Sequence, residues 1–139
     1  MTNGMIESLL GKVVKVERGG PESRKGQILA VRKDYFALLT EKDGIVFYQP
    51  HHVKSLSQNT KKEMQFKTDF FDDYKFIPPQ NFACVLESLV NFKVKINRGG
   101  DIEGVLIDVD KEFVTVMNSD ALIRVAIFHI RNISLHPKK

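Results

Sequence analysis

The chain has 139 residues, 42% of them apolar and 27% charged, with a net charge of +4. That length holds one domain or two very small ones, and the balance is that of a folded soluble protein rather than a charged tail. A single cysteine, Cys84, excludes an internal disulfide framework, and its apolar neighbours point to a buried thiol.

Residues 1–17 carry no long apolar run behind a basic leader, and no stretch is long and apolar enough to cross a bilayer. The expectation is an intracellular protein, or one that travels without a secretory signal. The first element is a thin helical signal in MIESLL, residues 5–10, with Met5 and Leu9 four apart. KVVKV (Lys12–Val16) then alternates as a strand, and the loop RGGPESRKG leads into QILAV (Gln27–Val31). RKDYFALLT (Arg32–Thr40) is a polar turn followed by an apolar strand. Asp43-Gly44 is a tight-turn pair, because glycine admits positive backbone angles. GIVFYQ (Gly44–Gln49) is the returning strand, and Val53–Ser57 a short final one.

Residues 58–79 break this pattern. QNTKK is polar, whereas FKTDFFDDYKFIPP is aromatic and acidic. Phe66, Phe70, Phe71, Tyr74 and Phe76 are too many rings for a solvated tether. The segment is read as a linker that packs partly on the flanking domains, with partner contact through Phe70, Phe71 and Tyr74 as the alternative.

The remainder repeats the beginning. NFACVLESLV (81–90) places Phe82, Leu86 and Leu89 at helical spacing behind Asn81 as a cap. FKVKI (Phe92–Ile96), VLIDV (Val105–Val109), DKEFVTVMN (Asp110–Asn118), ALIRVA (Ala121–Ala126) and Ile130–Ser134 follow as strands. LVNFKVKINRGGDIEGVLIDV, residues 89–109, lies against LLGKVVKVERGGPESRKGQILAV, residues 9–31. Arg18-Gly19-Gly20 matches Arg98-Gly99-Gly100, Gly26 matches Gly104, Tyr35 matches Phe113, and HVKSLS (52–57) matches HIRNIS (129–134). The expected architecture is mainly β: a first SH3-like or Sm-like bent sheet or barrel over 1–57, the linker over 58–79, and a second such unit over 80–139. A short helix precedes each. Closing such sheets removes exposed edges.

The loop Arg18-Gly19-Gly20-Pro21-Glu22-Ser23-Arg24-Lys25 has neither a P-loop pattern nor the dinucleotide fingerprint, and a strand follows it rather than a helix. Two readings stay open. In one, the glycines and Pro21 only shape a turn. In the other, Arg18, Glu22, Arg24 and Lys25, with Arg98, Gly99 and Gly100 in the second copy, form exposed protein-contact loops. His52 and His129 occupy matching positions. Structural zinc asks for about four ligands, and neither histidine has a carboxylate or thiol at ligand spacing. They are read as structural rings before the last strand, with no metal and no cofactor.

No serine lies in a nucleophile elbow and Cys84 has no evident base, so the chain is not read as an enzyme. Nucleic acid is the alternative, because small bent sheets bind single strands with basic loops and stacking rings, here Tyr35, Phe36, Phe47 and Tyr48. Charge argues against it. Residues 1–57 hold nine Lys/Arg against six Asp/Glu, and residues 80–139 hold eight against seven, which promises few phosphate contacts.

The motifs of residues 11–57 resemble the repeated unit of the spore coat protein B family of endospore-forming bacilli. The likeness lies in Arg18–Ser23 with Lys25-Gly26, Asp34–Leu38, Tyr48 with His52–Ser55, and the ending Ser55–Ser57. The second unit follows through Arg98-Gly99-Gly100, Gly104-Val105-Leu106, His129-Ile130-Arg131 and Asn132-Ile133-Ser134, without a full Pro21-Glu22-Ser23 equivalent. The resemblance implies a non-enzymatic component of the spore coat or exosporium, synthesised in the mother-cell cytoplasm, with other coat or exosporium proteins or further copies of itself as partners. Some relatives carry a serine- and lysine-rich tail. This chain ends at Leu135–Lys139, and no role of that tail transfers to it.

Overall fold

The computed structural model describes residues 3–17, 23–58, 76–97 and 102–135. In the first part, helix α1 (Asn3–Glu7) is followed by β1 (Val13–Val16), β2 (Arg24–Val31), β3 (Phe36–Thr40), β4 (Ile45–Tyr48), a 3-10 turn (Pro50–His52) and β5 (Leu56–Ser57). The second part runs α2 (Phe82–Ser88), β6 (Lys93–Ile96), β7 (Ile102–Val109), β8 (Phe113–Asn118), β9 (Ala121–Ala126), a 3-10 turn (Ile127–His129) and β10 (Asn132–Leu135). The mainly β expectation holds. The strands do not sit in two separate sheets, however. They form one open ten-stranded sheet in the order β5-β1-β2-β3-β4-β10-β6-β7-β8-β9.

Hairpin chemistry explains most of that order. Asp43-Gly44 closes β3 onto β4, with Gly44 at φ 67° and the Thr40 Oγ1 donating to the Gly44 carbonyl at 2.8 Å. Ser119 at φ 52° turns β8 into β9, which pair from Asn118↔Ala121 to Phe113↔Ala126. The joint between the halves has no such local cause. There β4 and β10 pair antiparallel with Tyr48 opposite Asn132, Phe47 opposite Ile133 and Val46 opposite Ser134. Each supplies the unpaired backbone edge that the other lacks, which is what an unclosed sheet demands.

Gly26 and Gly104 are not loop residues. Both lie inside long strands, Gly26 between Val14 and Thr40 and Gly104 opposite Val94. A Cβ on Gly26 would collide with the Leu39 carbonyl and come within 2.8 Å of Leu38; one on Gly104 would meet the Met117 carbonyl and Val116 in the same way. Only a residue without Cβ allows the strands to close there. Shortly beyond each glycine the register shifts, between Ile28 and Ala30 in β2 and between Leu106 and Asp108 in β7. Those bulges bend the sheet.

Two clusters fill the interior. One gathers Ile6, Val14, Val16, Ile28, Phe36, Leu38, Val46, Tyr48 and Val53, with Phe36 stacked on Tyr48 at 5.1 Å. The other joins Phe82, Val85, Leu86 and Leu89 of α2 and its flank to Val94, Ile96, Leu106, Val114 and Val116, and also takes in Ala30, Tyr35, Ala37 and Phe47 from the first half. Both faces of β3 are therefore covered, and all five of its residues are buried. Asn81 caps α2 as anticipated, its Oδ1 accepting from the Cys84 amide at 2.9 Å. Cys84 itself is only half-buried.

Candidate functional site

The seam between the halves is where polar side chains converge. Arg24 opens β2, and its side chain is 2% exposed. Its Nε donates to Asp43 Oδ2 at 2.9 Å, while Nη1 donates to Tyr48 Oη at 3.2 Å and to Asn132 Oδ1 at 3.0 Å. The partners come from the β3–β4 turn, from β4 and from β10, so one guanidinium ties three elements of both halves together. Its fork geometry suits that task, because its donors diverge in one rigid plane. Arg24 is thus a buried tie rather than an exposed loop cation, because the strand begins earlier than expected. Lys25, next to it, is half-exposed and faces Glu41 at 3.5 Å. Arg24, Lys25, Thr40, Glu41, Lys42 and Asp43 line a shallow depression of mixed charge.

A second group lies at the far end of the seam. Gln49 donates its amide to the carbonyls of Ile127 and Ile130, both at 2.7 Å, and its backbone N–H to Arg131 at 3.1 Å. The two 3-10 turns meet beside it. His52 Nε2 contacts the Phe128 carbonyl, and His51 stacks on the Phe128 ring at 5.3 Å. Partial burial, then the neighbouring His52, lowers the pKa of His51 below the usual histidine value. His129 sits in the other turn, its ring 5.4 Å from that of Phe128 and its carbonyl accepting from Asn97 Nδ2. The matching histidines are therefore brought to one corner through Phe128. Among the described residues no group of three His, Cys, Asp or Glu is placed to hold a metal ion.

The motif residues Arg18, Gly19, Gly20, Pro21, Glu22, Arg98, Gly99 and Gly100, and the linker rings Phe70, Phe71 and Tyr74, lie outside the described residues. The residue in front of each RGG is described, and its role went unread in the sequence. Glu17 (φ 57°) and Asn97 (φ 56°) are both left-handed. Glu17 Oε1 accepts from the amides of Lys54 and Ser55 at 2.7 and 3.1 Å. Asn97 Oδ1 accepts from Arg131 and Asn132 at 2.7 and 3.3 Å. Each therefore pins the foot of its loop to the approach of the last strand. The available signal was an acceptor side chain directly before each RGG, in ERGG and NRGG.

The end of the linker reaches back to the first half. Phe76 lies 6.1 Å from Phe47, Tyr35 Oη donates to the Pro79 carbonyl, and the Phe82 amide donates to Asp34 Oδ1 at 2.9 Å. Burial pushes the Tyr35 pKa up to about 12. Tyr35, Phe36, Phe47 and Tyr48, the rings considered for stacking on bases, are all at most 8% exposed and present no platform. Among the described residues no helix is long and apolar enough to cross a membrane.

No protein-family model and no solved structure matches the chain. It is 36% identical over 138 residues, 98% of its own length, to a protein named spore coat protein B from Bacillus subtilis (strain 168). The chain spans 36% of that relative's length. Over those residues the chain belongs to the spore coat protein B family.

Proposed function

We propose that the chain is a non-enzymatic structural component of the bacterial spore coat, working through protein–protein contacts. The observation that carries this reading is the 36% identity along almost the whole chain to a protein named for the spore coat. On this reading the protein is made in the mother-cell cytoplasm and deposited in the coat or exosporium. Its loops at Arg18–Glu22 and Arg98–Gly100 contact neighbouring proteins.

The chain is further read as two related SH3-like or Sm-like units. Support comes from features that recur at matched positions. The strand order β5-β1-β2-β3-β4 is repeated as β10-β6-β7-β8-β9. The left-handed pair Glu17 and Asn97, the crowded pair Gly26 and Gly104 and the two bulges fall at the same steps. Tandem units offer two related contact surfaces, and linked weak contacts reinforce one another.

The test is a quantitative immunoblot of the tagged protein in washed spore surface layers, mother-cell cytosol and vegetative cells of its host. Enrichment in the spore layers is expected. A soluble pool in growing cells, absent from washed spores, would sink the reading and bring nucleic-acid binding forward.

A further inference from the structure

Among the described residues the sheet ends on two strands with one neighbour each, β5 on one side and β9 on the other. Their relation to the internal seam is informative. Matched through β2–β3–β4 and β7–β8–β9, Tyr48 corresponds to Val125, Phe47 to Arg124 and Val46 to Ile123. Matched through HVKSLS and HIRNIS, Asn132 corresponds to Ser55, Ile133 to Leu56 and Ser134 to Ser57. Inside the chain, the fourth strand of one unit meets the fifth strand of the other. Among the described residues, the strands left with one neighbour are the fourth strand of the second unit, β9, and the fifth strand of the first, β5.

We propose that copies of this chain join head to tail by strand addition, β9 of one copy pairing antiparallel with β5 of the next. Transferring the internal register sets Ser55 opposite Val125, Leu56 opposite Arg124 and Ser57 opposite Ile123. The proposal rests on the two-unit reading above, and its occupant is a second copy because the chain itself holds one edge of each kind. Lengths and exposure agree with it. β10, flanked on both sides, runs for four residues, whereas β5, with β1 as its one neighbour among the described residues, runs for two. Along β9 and its turn, Leu122 is 53% and Phe128 66% exposed, and an apolar free edge is a template for pairing. The contact is heterologous, so it closes into a ring or continues as a filament according to the rotation between copies.

The joint between copies is weaker than the seam within one. Arg24, Tyr48, Gln49 and Asn132, which tie the seam, correspond to Ile102, Val125, Ala126 and Ser55, which offer no guanidinium and no side-chain amide. Association is therefore reversible and rises with concentration.

A disulfide trap tests the register in the full chain with Cys84→Ser. Ser55 accepts inward from the Glu17 amide, so Ser57, two residues on, also bonds inward. Ile123 bonds inward to β8 by the same alternation from the β8–β9 turn. The Ser57/Ile123 pair is thus non-hydrogen-bonded, with Cα atoms about 4.5 Å apart, within disulfide reach. Ser57→Cys with Ile123→Cys is expected to give a ladder of covalent multimers, or one closed species, under mild oxidation. Ser57→Cys with Arg124→Cys, whose side chains leave opposite faces, should not. Arg124→Pro, which removes only an outward N–H, is expected to shift the chain to monomer in sedimentation velocity.

A monomer at every accessible concentration with no ladder would overturn the proposal, as would equal ladders from both cysteine pairs. Association unaffected by a folded Arg124→Pro chain would overturn it too. If Arg124→Pro does not fold, the cysteine pairs decide. Failure here with normal deposition in spore layers removes the strand pairing and leaves the coat reading standing.

Discussion

Arg24 illustrates how a residue's neighbours in sequence mislead about its place. RGGPESRKG looks like one solvated loop, and a guanidinium among glycine, serine and lysine suggests a contact surface. In the fold its side chain is 2% exposed and its bonds reach Asp43, Tyr48 and Asn132. Asn132 lies more than a hundred residues away, so no local pattern announces it. Hydrogen bonds to a charged group contribute about 1.5–3 kcal/mol each, and their loss leaves partners unsatisfied. Arg24→Met is therefore expected to destabilise the chain by about 2 kcal/mol or more, read from urea denaturation; Lys25→Met, at a surface pair, should change it little. Tyr35 gives a pH signature. Its folded pKa is raised, by burial, from 10.0 to about 12, so its contribution is fully present below pH 10 and is lost as pH rises toward 12. Ultraviolet titration should show Tyr35 ionising after an ordinary tyrosine, and Tyr35→Phe should remove that late step. The late step persisting in Tyr35→Phe would contradict the assignment.

At the scale of elements, the strands and α2 were legible because alternation and capping are local. KVVKV, FALLT within RKDYFALLT, and FKVKI gave strands close to those observed, and Asn81 marked the start of α2. Two features were not legible. In β7 a strict alternation would put Val105, Ile107 and Val109 on one face, yet Leu106 is buried and Ile107 is 36% exposed. The bulge between Leu106 and Asp108 adds a residue, and a period of two cannot anticipate it. Gly26, read as the loop's exit, is instead the point where β2 passes tightly against Leu39. Substituting alanine there tests that geometry. Gly26→Ala is expected to cost about 1–3 kcal/mol through crowding. Gly104→Ala should cost more, since its φ of +154° also disfavours a side chain. Equal, near-zero effects in thermal melts would contradict the packing described.

For the whole molecule, the mainly β character of both halves was readable but the joining of their strands into one sheet was not. Backbone edges carry no side-chain signature of their partner, and the β4–β10 pairing crosses the entire linker. One asymmetry did hint at it. Ala30, Ala37 and Phe47 on the outer face of the first half are buried, while their counterparts Asp108, Thr115 and Arg124 are polar. The first half is apolar there because α2, Phe76 and the second half cover it. Single cooperative behaviour follows, since removing either half would bare the other's edge and part of its core. Native-state hydrogen exchange by mass spectrometry reads this directly. The account predicts that β4 and β10 amides exchange together with those of β3 and β6, in one global opening of both halves. Independent opening of residues 3–58 and 76–135, with early exchange of β4 and β10, would contradict it.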